Sequence, residues 1–332
     1  MAEVVHIDYD HGITSHHNEK EEFKRDIQIG LSKKNKQIPS RYFYDEHGSE
    51  LFNKITRHSS YYLTRCELEI LAENKQRLSA MIGHKAFNLV ELGPGEGIKT
   101  QILIQQFLRD ARDFHYIPID ISTKYLKTMV NQFRQNLPEL EFTPLHSDYI
   151  HGLEWLSKQS SRRNLVLFLG SSIGNYNQQD TEEFVKHMWK SLNNNDYVLI
   201  GFDLRKDIHV LMQAYDDNNH LTREFNFNLL RRINRELKAD FDLKNFQHYP
   251  TYNVNTGAME SYLVSLKQQA VTISALNEVY QFDKIEPLLV EYSYKYLLSQ
   301  IENIATQGGF EIVENFMDAD QFFVDTLWQV KK

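Results

Sequence analysis

Residues 87–100 read FNLVELGPGEGIKT: an apolar run of strand character, a glycine-rich turn, then the start of a helical pattern. In an α/β protein such a junction brings bare backbone against a nucleotide-like ligand. Gly93, Gly95 and Gly97 take side chains out of the turn, so main-chain N–H groups can approach closely. The dinucleotide fingerprint asks for a further glycine three positions after the second, and the chain has Ile98 there. The turn therefore points away from NAD and toward S-adenosylmethionine (SAM) or another adenosyl ligand. A plain tight strand–helix connection is the alternative.

The flanking segments alternate. FNLVELG reads as a strand, KTQILIQQFLRD as a helix, FHYIPIDI as a strand, KYLKTMVNQFRQN as a helix and LEFTPLH as a strand. EWLSKQ, NLVLFLG, QQDTEEFVKHMWKSL and DYVLIGFDL continue as helix, strand, helix and strand. This rhythm predicts a parallel sheet covered by helices on both faces, with ligands bound beyond the carboxyl ends of its strands. It stops after about Arg205. Two helical stretches follow, at 208–216 and 222–238, then the strand-like run HYPTYNVNTGAMESYLVSLKQQAVTI. A helix is expected over 292–309, and FEIVENFMDADQFFVDTLWQV reads as two closing strands. The fold class is α/β, a Rossmann-like sheet with an inserted α+β domain. Residues 1–25, polar and aperiodic, are expected to form a mobile arm. Residues 62–205 and 294–332 are assigned to the sheet domain, 26–61 and 206–293 to the inserted substrate-binding domain.

With 332 residues the chain exceeds what one hydrophobic core usually serves. A formal charge of −8 argues against nucleic acid as the partner, since phosphate neutralisation needs a basic surface. No apolar stretch approaches a membrane span and the N-terminal segment lacks a continuous apolar region, so a cytoplasmic protein is expected. Cys66 is the single cysteine, which excludes an intrachain disulfide and fits a reducing compartment. Neither a two-histidine helical motif nor a paired-cysteine site occurs, so no metal is expected. His16-His17 reads as solvated, and the arginines of REFNFNLLRRINREL as a solvated or interdomain helix face.

Strand ends carry the best candidates for chemistry. Asp120, closing FHYIPID, can accept from both ribose hydroxyls of a nucleoside, or cap the helix that follows. Asp148-Tyr149 can supply an edge contact and a ring wall for adenine, or an ordinary polar turn. Lys99, at the start of the first sheet-domain helix, can reach a carboxylate or a nucleoside oxygen, or lie solvated. The fourth strand ends in GSSIGNY, where amine methyltransferases acting on glutamine or adenine commonly place Asn-Pro-Pro-aromatic; this chain has no Pro-Pro. Asn175 still offers a carbonyl acceptor and NH₂ donors for a substrate amine or carboxylate, or for the local backbone.

Six colinear segments resemble the ergothioneine-pathway histidine Nα-methyltransferases: YFYDEHGSELFNKITRHSSYYLTRCELEIL, VELGPGEGIKT, FLGSSIGNY, GFDLRKD with AYDD, FNLLRRINRELKADFDL and LLVEYSYKY. The resemblance implies a class I SAM-dependent methyltransferase sheet with a separate substrate-binding domain. It implies three successive methyl transfers to the α-amino nitrogen of L-histidine, giving hercynine, with SAM as the co-substrate and no metal. By position, Gly93, Gly95, Lys99, Asp120, Asp148 and Tyr149 are implied to bind the cofactor. Tyr61 and Asn175 are implied to hold the amino group and backbone end of the substrate, and Tyr44 to line the methyl-acceptor site. Tyr215 matches a carboxylate-binding tyrosine, while Glu291 and Ser293 match the pair that reads the imidazole. A monomer with a small-molecule substrate is the expectation.

The chain departs from the family pattern at Tyr42, Leu63, Tyr292 and Ser261, the last falling where relatives carry a larger side chain against the imidazole. These departures leave two other functions in view: a same-fold N-methyltransferase of another amino acid or small amine, and a non-catalytic SAM-binding regulatory module.

Overall fold

The computed structural model describes residues 4–7 and 15–332. Along the chain the elements are β1 (Val5–His6), α1 (Ser15–Ser32), α2 (Glu46–Thr56), α3 (Tyr62–Ile82), β2 (Phe87–Leu92), α4 (Ile98–Arg109) and β3 (Phe114–Asp120). Then come α5 (Thr123–Asn136), β4 (Leu145–His146), α6 (Tyr149–Gln159), β5 (Arg163–Phe168), α7 (Gln178–Ser191) and β6 (Tyr197–Asp203). The insertion holds α8 (Ile208–Tyr215), α9 (Leu221–Leu237), β7 (Phe246–Asn253), β8 (Ala258–Ser265), β9 (Gln269–Ile273), β10 (Glu278–Phe282) and β11 (Pro287–Tyr294). The chain closes with α10 (Leu298–Gln307), β12 (Phe310–Met317) and β13 (Phe323–Val330). It divides into two compact units. The first comprises Met1–Ile7, Leu63–Arg205 and Tyr296–Lys332; the second comprises Asp8–Tyr62 and Lys206–Lys295.

The first unit is built on one eight-stranded sheet of order β1-β4-β3-β2-β5-β6-β13-β12. From β4 to β6 the strands are parallel, and β13 enters antiparallel between β6 and β12. This is the class I methyltransferase order. Every residue of β2 is buried, as a strand covered on both faces requires. The strand order reverses at β2, which puts the ligand crevice at the carboxyl ends of β2, β3 and β5. LEFTPLH pairs less than expected. Only Leu145–His146 form strand, with a single bridge from Phe142 to Tyr116, because Pro144 has no N–H for the ladder.

In the second unit β7, β8 and β11 make an antiparallel sheet, β9 and β10 a hairpin. Its core joins the insertion to the N-terminal segment: Phe23, Ile27 and Leu31 of α1 and Phe43 pack with Phe225, Leu229 and Ile233 of α9 and with Leu288 of β11. Residues 1–25 were expected to be a mobile arm, yet β1 pairs with β4 and α1 is helical. The four-residue spacing of Phe23, Ile27 and Leu31 is the reason, since it stacks three apolar side chains on one helix face. The remainder of that segment, residues 1–3 and 8–14, and the side chains of His16 and His17, lie outside the described residues. Asp45 caps α2 by accepting the Gly48 N–H at 2.8 Å, and also accepts from Asn228 at 2.7 Å and Arg235 at 2.6 Å. The expected helix at 292–309 begins only at Leu298, because the tyrosine-rich EYSY stays paired as the end of β11.

Candidate active site

At the crevice of the first unit the glycine turn is strained in the way glycine allows. Gly93, Gly95 and Gly97 have φ of +71°, +54° and +71°. A Cβ on Gly93 would stand 2.5 Å from the Tyr149 hydroxyl, so a side chain here would collide with that ring. Two of the turn's N–H groups are already used: Gly93 donates to Ile119 O and Gly97 to Pro94 O, both at 2.9 Å. The Tyr149 ring is held edge-on against Phe168 at 5.6 Å.

Asp120 ends β3 with its Oδ1 accepting the Ser122 N–H at 2.7 Å. The helix cap for α5 is Ser122, so Asp120 is not spent on capping. Burial raises its pKa to about 6, against the pull of the Ser122 and Ile121 N–H groups. A carboxylate held in that state gains from further donors such as a vicinal diol. Asp148 is more fully engaged. It caps α6 through the His151 N–H at 3.0 Å and meets His151 Nδ1 at 2.7 Å.

Lys99 is not solvated. Its ammonium pairs with Glu67 of α3, a fully buried carboxylate that also accepts the Gly170 N–H at 2.7 and 3.0 Å. Behind this pair lies Asp325 of β13, also fully buried; burial and the neighbouring Glu67 push its pKa well up. Glu91 of β2 accepts from the hydroxyls of Thr100 and Tyr116, and burial lifts it to about 7. Sequence reasoning missed Glu67 and Asp325 altogether. Beyond Gly170, Ser171 adopts a left-handed φ of 55° and its Oγ accepts the Asp203 N–H at 3.0 Å, which fixes the turn leading to Asn175. Among the described residues the Asn175 carboxamide has no hydrogen-bond partner, so it is not absorbed by the local backbone.

In the second unit, the polar readers share one face of β11. Strand alternation puts Glu291, Ser293 and the following Lys295 on the same side, with Tyr292 and Tyr294 on the other. Tyr292 sits opposite Glu260 there, so this departure from the family pattern does not touch the Glu291 face. A bulge between Leu289 and Glu291 resets the register just before that face begins. Ser261 of β8 lies directly across from Glu291 and donates to its Oε2 at 3.3 Å. Burial lifts Glu291 to about 7, opposed by that hydrogen bond and by the charge of Lys295. The Tyr215 hydroxyl donates to Ser293 Oγ at 2.6 Å, and Lys295 donates to both oxygens at 2.8 Å. Lys295, 1% exposed, was not anticipated.

Beside this face stands an aromatic wall. Tyr44 packs edge-on against Phe52 and Phe225, both at 5.4 Å, and Phe52 against Tyr61 at 6.3 Å. Enclosure, with Glu291, Tyr61 and Tyr215 nearby, pushes the Tyr44 hydroxyl well above the ordinary tyrosine value. Phe52 and Phe225 were also missed, since an aromatic residue in a helix pattern reads as core. Among the described residues no cluster of three or more His, Cys, Asp or Glu is disposed to hold a metal, and no helix is long and apolar enough to cross a membrane.

The profile of the family described as histidine-specific, SAM-dependent methyltransferase matches residues 23–330. The chain is 35% identical to a histidine N-alpha-methyltransferase of Mycobacterium tuberculosis over 273 residues, 82% of this chain and 84% of that one. It is 36% identical to the protein of that name from Mycolicibacterium smegmatis over 277 residues, covering 83% and 85%. Likeness to ergothioneine biosynthesis protein 1 of Schizosaccharomyces pombe is 28% over 300 residues, 87% of this chain but 38% of that longer protein.

Proposed function

The chain belongs to the histidine-specific, SAM-dependent methyltransferase family, and from that membership we infer that it methylates the α-amino nitrogen of L-histidine three times, giving hercynine for ergothioneine synthesis. The observation that carries this reading is the 35–36% identity to two histidine N-alpha-methyltransferases along 82–83% of the chain. The side-chain arrangement supports it. The Tyr149 ring over Gly93 and the buried Asp120 carboxylate fit an adenosyl group, a side chain at Gly93 being excluded by that ring.

SAM, when bound, supplies an electrophilic methyl on a sulfonium; displacement by an amine needs alignment and a neutral nitrogen more than a strong base. We assign Asp120 to the ribose hydroxyls, Lys99 to the carboxylate end of the cofactor, and Gly93, Gly95, Asp148 and Tyr149 to its adenosine part. Asp148 would do this with oxygens already engaged by α6, so its contact is the least exclusive of the set. For the amino acid, Glu291 accepts a ring N–H, Ser293 meets the second ring nitrogen and Tyr215 serves the carboxylate. Asn175 and Tyr61 take the amino group. Tyr44 remains a phenol across the working pH range, since its pKa is held up, so it orients the amine lone pair and does not deprotonate it. Each methylation removes an N–H and adds positive charge. Aromatic faces at Tyr44, Phe52 and Tyr61 tolerate both changes, because ring quadrupoles attract alkylated ammonium groups.

We take the enzyme to work as a cytoplasmic monomer without a metal; a single-chain mass in solution and activity that survives chelator are the checks. The decisive experiment incubates the protein with SAM and a panel of amino acids and small amines, following product mass. Histidine should gain one, two and three methyl groups in turn. No methylation of histidine alongside methylation of another amine overturns the reading. Glu291→Ala should weaken histidine binding at least tenfold, by leaving the ring N–H without its acceptor, while SAM binding holds. Equal loss of both would contradict the ring-reading role.

A further inference from the structure

Glu67 of α3 is fully buried and offers a substrate no surface, yet both of its oxygens are aimed at the turn that follows β5. β5 pairs with β2 as far as Leu167 and with β6 as far as Phe168, which leaves the Gly170 N–H beyond the ladder. Glu67 receives it, at 2.7 Å on Oε1 and 3.0 Å on Oε2, while Oε2 also meets Lys99. The fold makes room for that reach, since a Cβ on Gly201 of β6 would collide with Oε1. The turn itself is one stiff piece. Gly170 and Ser171 are both left-handed, with φ of +78° and +55°. Gly174 donates to Ser171 O and the Ser172 hydroxyl to Leu169 O, both at 2.9 Å, and a short 3-10 turn over Ser172–Asn175 ends the piece. A left-handed serine is unfavourable by itself, so this conformation stands only while its surroundings hold it. The anchor at its entry is a charged acceptor on a backbone N–H, the stronger class of hydrogen bond. Moving that anchor swings Asn175 at the far end.

We propose that Glu67 is a positioning residue for the substrate amine: by holding the Gly170 N–H it fixes where Asn175 presents its carboxamide. This rests on the reading that Asn175 takes the amino group of histidine. The length of the Glu67 side chain serves the turn and its charge serves Lys99, so the two tasks can be separated. Glu67→Asp keeps the charge but draws the carboxylate back by one carbon–carbon bond, about 1.5 Å, out of reach of Gly170. Lys99, 23% exposed and flexible, can follow it. Glu67→Gln keeps the reach instead. Its amide oxygen still accepts from Gly170, and its NH₂ can turn to the neighbouring Asp325.

The test compares, by calorimetry, the affinities of histidine and of 3-(imidazol-4-yl)propanoate, which is histidine without its amino group. In wild type histidine should bind the tighter. Glu67→Asp should shrink that preference roughly tenfold, and Glu67→Gln by no more than about threefold. A merely structural role would weaken both ligands alike and leave the preference where it was. A preference unchanged in Glu67→Asp, or reduced equally in the two variants, overturns the proposal. If Glu67→Asp lacks a cooperative unfolding transition, Glu67→Met takes its place: it keeps the length, offers Gly170 no acceptor, and is compared with Glu67→Gln for the same two outcomes. Failure of the underlying reading looks different. Wild type that binds the two ligands equally would remove Asn175 as holder of the amine, and wild type that binds neither would remove the histidine reading itself, each taking the proposal with it.

Discussion

Asp325→Asn tests whether the carboxyl group behind Lys99 is held as an acid. In the folded chain burial and Glu67 raise the Asp325 pKa well above its ordinary 3.8, and among the described residues neither oxygen has a hydrogen-bond donor. Folding therefore takes up a proton whenever the pH lies between the unfolded and folded values. The stability this acid contributes is full below about pH 4 and declines by about 1.4 kcal/mol per pH unit as pH rises toward the folded value. Asparagine donates to Glu67 as the acid does but does not titrate; its second N–H is left without a partner, at a cost of about 1 kcal/mol. At pH 4 the variant should thus be the weaker protein by about 1 kcal/mol, and it should gain on wild type as the pH rises toward the folded value.

Urea unfolding at matched m-values across pH 4–7, plotted as variant minus wild type, measures this directly. Parallel curves, or a variant that loses ground as pH rises, would mean that Asp325 is ionised and serves as a counter-ion of Lys99. Glu67→Gln then gives a second reading of the same cluster. In wild type, Asp325 can ionise and replace Glu67 beside Lys99. In the Asp325→Asn background nothing can, so Glu67→Gln should cost about 1 kcal/mol more there.

Asp120, raised to about 6, should bind ribose hydroxyls only when ionised, so SAM affinity is full above that pH and falls toward tenfold per unit below it. Asp120→Asn should weaken SAM at least tenfold and flatten the profile by equilibrium dialysis; a slope surviving in the variant would transfer the titration to Glu91. Gly93→Ala forces a side chain into a φ of +71° with the Tyr149 oxygen at 2.5 Å, and should cost about 1–2 kcal/mol by chemical unfolding. Tyr149→Phe should recover part of that cost, and no recovery would remove the steric account. Phe23→Ala, in the core of the second unit, should destabilise by about 3 kcal/mol or more, whereas a change below 0.5 kcal/mol would show that α1 packs loosely.

The centre of the sheet was legible because β2, β5 and β6 are nearly continuous apolar runs ending at a turn, a pattern that survives without knowledge of partners. LEFTPLH was misjudged because pairing depends on the N–H that Pro144 lacks, and apolar content does not register it. The N-terminal segment was misjudged for the opposite reason, since three apolar residues at helical spacing are thin evidence until α9 and β11 supply the surface that buries them. Lys99 was found but its surroundings were not. Glu67, Gly170 and Asp325 come from a helix, a loop and the last strand, and only the fold brings them together. Lys295 could have been found by extending the two-residue period that joins Glu291 to Ser293 by one step.

The buried carboxyls of the two units differ in what the protein supplies to them, and that difference sorts structure from recognition. Glu91 has two hydroxyl donors, and Asp325 has Glu67. Asp120 has backbone N–H groups and is still held near 6. Glu291 is the poorest: Ser261 at 3.3 Å is its hydrogen bond, and Lys295 acts on it through charge while donating to other oxygens. A carboxylate can accept about four hydrogen bonds, so a group this short of donors is costly in the empty fold. On the proposed reading that cost is recovered when a ring N–H arrives, and an amino acid without one leaves it standing. Discrimination against apolar amino acids then comes from the unmet need of Glu291 more than from the shape of the pocket, and enlarging the pocket at Ser261 should relax selectivity less than removing the charge at Glu291.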